Sequence, residues 1–273
     1  MSALVVCLLG VAGLGCGASE GGTATTGSRT SADPARLAAE IDRAQAVIDD
    51  ASGSQASLQR AALSQQLSFR QLADRRPLRR PTLARLTPRA RSAAKASLRA
   101  SDALARIVPT ERRFPKWRIV APPAPNVLLG YFQAAAAASR IPWRYLAAIE
   151  LVETRMGRIR GLSPAGAKGP MQFMPATWAE YGRGSIESQR DSIMAAARFL
   201  VANGGRRSIG RALLHYNPSR SYVVAVEAYA REMRTDGHAF SGYYHWQVLY
   251  RTTRGTFLLP VGYPRVRPRR LPG

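Results

Sequence analysis

Cysteine is nearly absent: Cys7 and Cys16 are the only two, and both lie in the first sixteen residues. A disulfide framework or a cysteine-rich metal site in the body of the protein is thereby excluded. Histidine is equally scarce. His215, His238 and His245 are scattered, without an HExxH or similar ligand spacing, and read as surface or core side chains. Lysine contributes only 3 of the 40 basic residues, and arginine the other 37. Acidic residues number 17, which leaves a formal net charge of +23. That surplus draws a protein towards polyanions: nucleic acid, anionic lipid or an acidic cell-wall polymer. The dense basic runs at 75–91 and 265–270 lack the interleaved aromatics of a base-stacking surface. They read as solvated surface, with polyanion binding as the alternative. With 46% hydrophobic residues, the chain can build a packed core.

No charge interrupts residues 3–15 (ALVVCLLGVAGLG), yet the run is shorter than the ~20 residues of a membrane-spanning helix. It fits the apolar core of a secretory signal over residues 1–15. Leu14-Gly15-Cys16 follows, then a Gly/Ser/Thr-rich tether over 16–32. This resembles a bacterial lipoprotein signal, although no Lys or Arg precedes the run and Gly13 stands where Leu is usual. The resemblance implies lipidation at Cys16, stable membrane anchoring by two acyl chains, and a location outside the membrane facing the cell wall.

Residues 33–108 read as a helical appendage. Ser31 and Asp33 are candidate caps before Pro34, and Leu37, Ile41, Ala44 and Ile48 recur at helical spacing. The break at 52–54 predicts a helical hairpin, and the Ala-rich stretch 92–107 a further helix beyond the proline-containing basic segment 75–91. Five prolines mark 109–125 as a linker. From there the pattern predicts helices at 127–139, 142–156, 175–181, 188–203, 208–215 and 219–234. Alternating aromatic and β-branched residues at 243–262, with Arg254-Gly255 at a turn, predict a small β-hairpin ahead of a basic tail, 263–273. The expected fold class is mainly α: a helical domain over 126–262, the N-terminal appendage, and the C-terminal hairpin.

Chemistry enters with Glu150 and Glu153. Three residues apart on one helix, they share a face with Leu146 and Ile149. A carboxyl group on an apolar face loses hydration, so its pKa rises. A glycosidase needs such a group, still protonated near neutral pH and able to donate to a glycosidic oxygen. On spacing alone, two helical glutamates more often form a solvated face or pair with arginines such as Arg144 or Arg158.

The downstream sequence narrows the choice. Glu153-Thr154 is followed by Gly161-Leu-Ser-Pro-Ala-Gly-Ala-Lys-Gly-Pro-Met-Gln-Phe-Met-Pro175, then Ala-Thr-Trp178, and later by Tyr216-Asn217. In order and spacing, residues 126–234 resemble the lytic transglycosylases of the soluble type, which share the goose-lysozyme-like fold. The family pattern is Glu-Ser at a helix end, a Ser-x-x-Gly-Ala loop, Gly-x-Met-Gln, and Ala-Tyr-Asn. The resemblance assigns Glu153 as the catalytic acid, with Thr154 keeping the hydroxyl of the usual Ser. It assigns Met171 and Gln172, after Gly169, to the sugar-binding groove. Tyr216 takes the place of the tyrosine near the carboxyl, and Asn217 that of a saccharide contact. Pro218-Ser219 replaces the family's Ala-Gly. Glu150 has no counterpart and reads as structural, or as a second carboxylate that raises the pKa of Glu153. Taken singly, the glycines could supply turns, Met171, Phe173 and Met174 could be core, and Tyr216 a core tyrosine.

The resemblance implies cleavage of the β-1,4 bond between N-acetylmuramic acid and N-acetylglucosamine in peptidoglycan glycan strands. Glu153 protonates the leaving oxygen and then, as a base, deprotonates the C6 hydroxyl, which closes to a 1,6-anhydro end. It implies no metal and no organic cofactor. Two readings compete on the same fold: a hydrolytic muramidase, and a non-catalytic cell-wall-binding lipoprotein. Specific nucleic-acid binding is disfavoured by the export signal and by the lack of a nucleic-acid motif.

Overall fold

A computed structural model describes residues 33–50 and 53–272. The signal, the tether, Cys16 and the Ser31 cap lie outside the described residues. The described chain is mainly helical, with small antiparallel sheets.

Helices α1 (Pro34–Asp49) and α2 (Gln55–Asp74) form the expected hairpin. Asp33 caps α1 by accepting the N–H groups of Ala35 and Arg36 at 2.9 and 3.3 Å. The basic segment is helical despite its prolines. It forms α3 (Arg76–Arg85), with Pro77 in the first turn and Pro81 inside. Arginine side chains hold it. Arg79 donates to the carbonyls of Leu72 and Ala73 at the end of α2, and to both oxygens of Asp102 at 2.7 and 2.8 Å. Arg91 donates to the carbonyls of Ala84 and Leu86 at the end of α3. Part of the arginine excess therefore caps helices rather than meeting partners. Helix α4 (Pro88–Leu104) follows and packs along the later helix α10 (Arg220–Thr235). Its Ser92 hydroxyl donates to Glu232 at 2.8 Å.

The remaining helices are α5 (Pro125–Ser139), α6 (Trp143–Thr154), α7 (Pro175–Tyr181), α8 (Gln189–Ala202), α9 (Ile209–Tyr216) and α11 (Ala239–His245). All but α11 agree with the periodicity to within two residues at either end. α11 takes over the start of the stretch expected to be strand. Its aromatics Phe240, Tyr243 and Tyr244 are buried, as is the following Trp246. The hairpin itself is β3 (Val248–Thr252) and β4 (Gly255–Leu259), and the basic tail adds β5 (Arg269–Arg270) to β4. The linker also contributes a strand. β1 (Arg118–Ile119) pairs antiparallel with β2 (Ile159–Arg160), just beyond α6.

One hydrophobic core runs from Leu37 in α1 through α6 to Trp246, so the N-terminal helices share their interior with the helices that follow. A smaller cluster, including Trp117, Ile119, Ile159 and Tyr250, joins the linker to the C-terminal sheet. Helix α6 lies inside, against α5, α8 and α10, and every residue from 146 to 159 is buried. Leu104, 1% exposed at the end of α4, tests the shared core. Leu104→Ala should cost about 2–5 kcal/mol. Thermal unfolding should remain one transition at lower temperature; a separate early transition of the N-terminal helices would contradict a common core.

Candidate active site

Helix α6 ends at Thr154 because Arg155, Met156 and Gly157 all take left-handed conformations (φ 55°, 59° and 72°). The N–H groups of Arg155 and Met156 both turn back to the carbonyl of Glu150. Gly157 is required at its position. A Cβ there would stand 1.8 Å from the side-chain amide nitrogen of Gln189.

The hydroxyl of Thr154 secures this helix end to the next loop. It donates to the carbonyl of Pro170 at 2.5 Å and accepts the N–H of Gly157 at 3.1 Å. Segment 168–173 doubles back on itself, Lys168 and Phe173 exchanging N–H to carbonyl bonds of 2.8 and 2.9 Å. Gly169 has φ 74°, and a Cβ there would meet the carbonyl of Ile186 at 1.9 Å. Ser163 orders the preceding loop, its hydroxyl accepting the N–H of Ala165 and of Ala167.

A cleft opens where these elements meet. Its lining includes Glu153, Gln172, Phe173, Phe199, Tyr216 and Asn217. Gln172 holds φ 51°, and its side-chain N–H donates to the carbonyl of Gly169 at 2.9 Å. Met171 is fully buried and does not line the cleft. It contributes its carbonyl, which accepts the Tyr216 hydroxyl at 2.6 Å. Tyr216 thus pins the Met-Gln loop to the end of α9, rather than donating to Glu153. Asn217 is buried and accepts the N–H of Ser219 at 3.2 Å, forming the turn into α10 despite the Pro218-Ser219 replacement. Of the five residues expected to act in the groove, four border one cleft, and the fifth shapes its wall.

Glu153 is 3% exposed, and one of its carboxyl oxygens has no hydrogen-bond partner. Burial pushes its pKa up to about 8. The Tyr222 hydroxyl opposes that rise slightly by favouring the anion, yet it completes no well-formed hydrogen bond. Glu150 is fully buried, and neither of its oxygens is hydrogen-bonded. Burial raises it as well, to about 8, against the attraction of Arg160 and the nearby Gln189 amide. Burial therefore accounts for the rise at Glu153, and Glu150 does not line the cleft.

Tyr222 was not singled out by sequence. It stacks on Tyr216 with an interplanar angle of 7° and a centroid distance of 6.4 Å. Phe173, Phe199 and Tyr216 make an edge-to-face cluster at centroid distances of 5.3–6.5 Å. Thr177, Met174 and His215 complete much of the rim. Among the described residues, no cluster of His, Cys, Asp or Glu could hold a metal ion. No family model, curated protein or solved structure matches the chain.

The two raised carboxyls make stability depend on pH. Each stays protonated in the fold up to about pH 8, whereas in the unfolded chain it ionises near the ordinary value of 4.5. Between those values the folded state binds more protons. Stability from these groups is therefore full below about pH 4.5 and is lost as pH rises towards 8. Glu150→Gln removes one of the two contributions. The variant should melt close to wild type near pH 4.5 and above it near pH 8; equal melting temperatures at both values would mean that Glu150 is ionised in the fold.

Proposed function

We propose that the chain is a peptidoglycan lytic transglycosylase in which Glu153 acts as general acid and then as general base. One observation carries the reading: a carboxyl group kept neutral by burial sits at a cleft bordered by the Gln172 loop and the Tyr216-Asn217 corner. A group with its pKa near 8 is protonated at neutral pH and can donate to a glycosidic oxygen. As the bond to the muramic carbon breaks, positive charge develops on the sugar ring, and the carboxylate left on Glu153 is poised to take a proton.

A retaining or inverting hydrolase calls on a second carboxylate. Among the described residues, Glu153 is the only carboxylate bordering the cleft. This favours a route in which the substrate supplies the nucleophile. Glu153 removes the C6 hydroxyl proton, and that oxygen closes onto the muramic carbon to give the 1,6-anhydro end. Gln172 and Asn217 border the same space and are the candidates for orienting the sugar; such positioning can supply several kcal/mol. With export and lipidation at Cys16, the enzyme would work at the membrane face of the wall.

Glu153→Gln should lower release of soluble fragments from peptidoglycan by ~10²–10⁴-fold while the variant melts as a folded protein. A variant keeping more than about a tenth of wild-type activity would remove Glu153 from this role. Wild-type activity should fall as pH rises through about 8, where Glu153 loses its proton. Product masses decide between the two enzymatic routes: anhydro ends are one water lighter than the reducing ends left by a muramidase. Tyr216→Phe should reduce activity more modestly, because it loosens the Met171 carbonyl rather than removing the acid.

A further inference from the structure

A second cavity lies between α2, the β3–β4 hairpin and the C-terminal strand, on residues that take no part in the Glu153 cleft. It holds about 1140 Å³ of space, counting its open mouth. Arg70, Arg251 and Arg270 line it with Thr253 and Thr256, and Asp74 is its one acidic lining residue among those described.

Of these guanidinium groups, that of Arg70 is fixed by hydrogen bonds. Arg70, its side chain 11% exposed, donates to Asp74 at 3.0 Å and to the carbonyl of Pro272 at 2.7 Å. The C-terminal chain therefore helps fix it. Arg251 Nη1 stands 3.8 Å from Asp74 Oδ1, beyond hydrogen-bond range, and this buried donor has no hydrogen-bond partner. Arg70 Nε lacks one as well. Arg270 folds over the hairpin turn, where a Cβ on Gly255 would come within 3.4 Å of its Nε. Burial lowers the pKa of Arg70, Asp74 opposes this, and Arg251 and Arg75 add repulsion.

Three cations against one carboxylate leave the described lining residues with a charge of +2 (3 − 1). Like charges held this close are stabilised when they share an anion. We propose that the cavity binds a phosphate group in its dianionic form. Guanidinium forks match phosphate oxygens, and the threonine hydroxyls can donate as well. A phosphomonoester carries about −1.5 to −2, which balances the site. A carboxylate or a phosphodiester brings a single negative charge and leaves one guanidinium unmatched. The ligand is either free inorganic phosphate or a phosphate ester on a sugar or polyol.

Titration calorimetry on the full chain tests this, with inorganic phosphate and glycerol phosphate at constant ionic strength and at a pH where both are dianions. Wild type should bind at least one of them saturably in the millimolar range or tighter. Equal affinity assigns the site to the free ion, and tighter binding of the ester assigns it to a phosphorylated ligand; either supports a phosphate site. Arg251→Ala and Arg270→Ala should each weaken binding about tenfold or more. Arg270 is exposed, so its variant keeps the fold even if Arg251→Ala does not. Glu153→Gln should bind as wild type does, which separates this site from the proposed glycan chemistry. Absence of saturable binding to wild type, or wild-type affinity in Arg270→Ala, would overturn the inference.

Discussion

The enclosure of helix α6 is the constraint on which the rest of the structure depends. Helices α5, α8 and α10 surround it, and no residue from 146 to 159 reaches solvent appreciably. A helix buried on all sides is ordinarily apolar throughout. This one carries two glutamates, whose ionised forms would lose their hydration without gaining a matching partner. The fold resolves the conflict by keeping both neutral. At Glu150 that is a cost to be carried, because no cleft opens onto it. At Glu153 the same physics leaves a proton available where the cleft reaches the helix end.

Everything around Glu153 is arranged from that helix end. The three left-handed residues stop α6 abruptly, so the last turn faces a loop rather than another helical turn. Thr154 then ties the loop to the helix, and Tyr216 ties it to α9. These bonds end on backbone carbonyls, so they position the segment whatever its side chains are. That explains how Met171 can sit in the motif while its side chain faces the core. Its carbonyl accepts the Tyr216 hydroxyl, and its side chain packs into the core.

Much of this was legible in the sequence, for identifiable reasons. Helical periodicity carried α5, α8, α9 and α10, because each buries one face and ends at a polar residue; the short α7 was marked by Pro175 at its start and Gly182 at its end. The order Glu153, Gly169, Met171, Gln172, Tyr216, Asn217 was singled out through the resemblance of its motifs to a known family, and Glu153, Gln172, Tyr216 and Asn217 border one cleft. Other features came from contacts between separate elements, which periodicity within one element does not report. Helix α3 hid behind its prolines because its own Arg79 ties it to the end of α2 and Arg91 of α4 caps its end. Strand β5 hid within a charged tail because its partner is β4. Tyr222 was missed because its neighbour in space, Tyr216, lies across the turn between α9 and α10. The N-terminal helices looked like an appendage, since nothing local in α4 reveals that it packs on α10.

The central claim is that burial keeps the Glu153 carboxyl protonated at neutral pH. A carbon-13 titration of the glutamate side-chain carboxyls, with Glu153 assigned by its loss in Glu153→Gln, tests it most directly. The account predicts a midpoint near 8 for that resonance. A midpoint close to the ordinary value of 4.5 would contradict it, since the group would then be an anion throughout the range in which it must donate a proton.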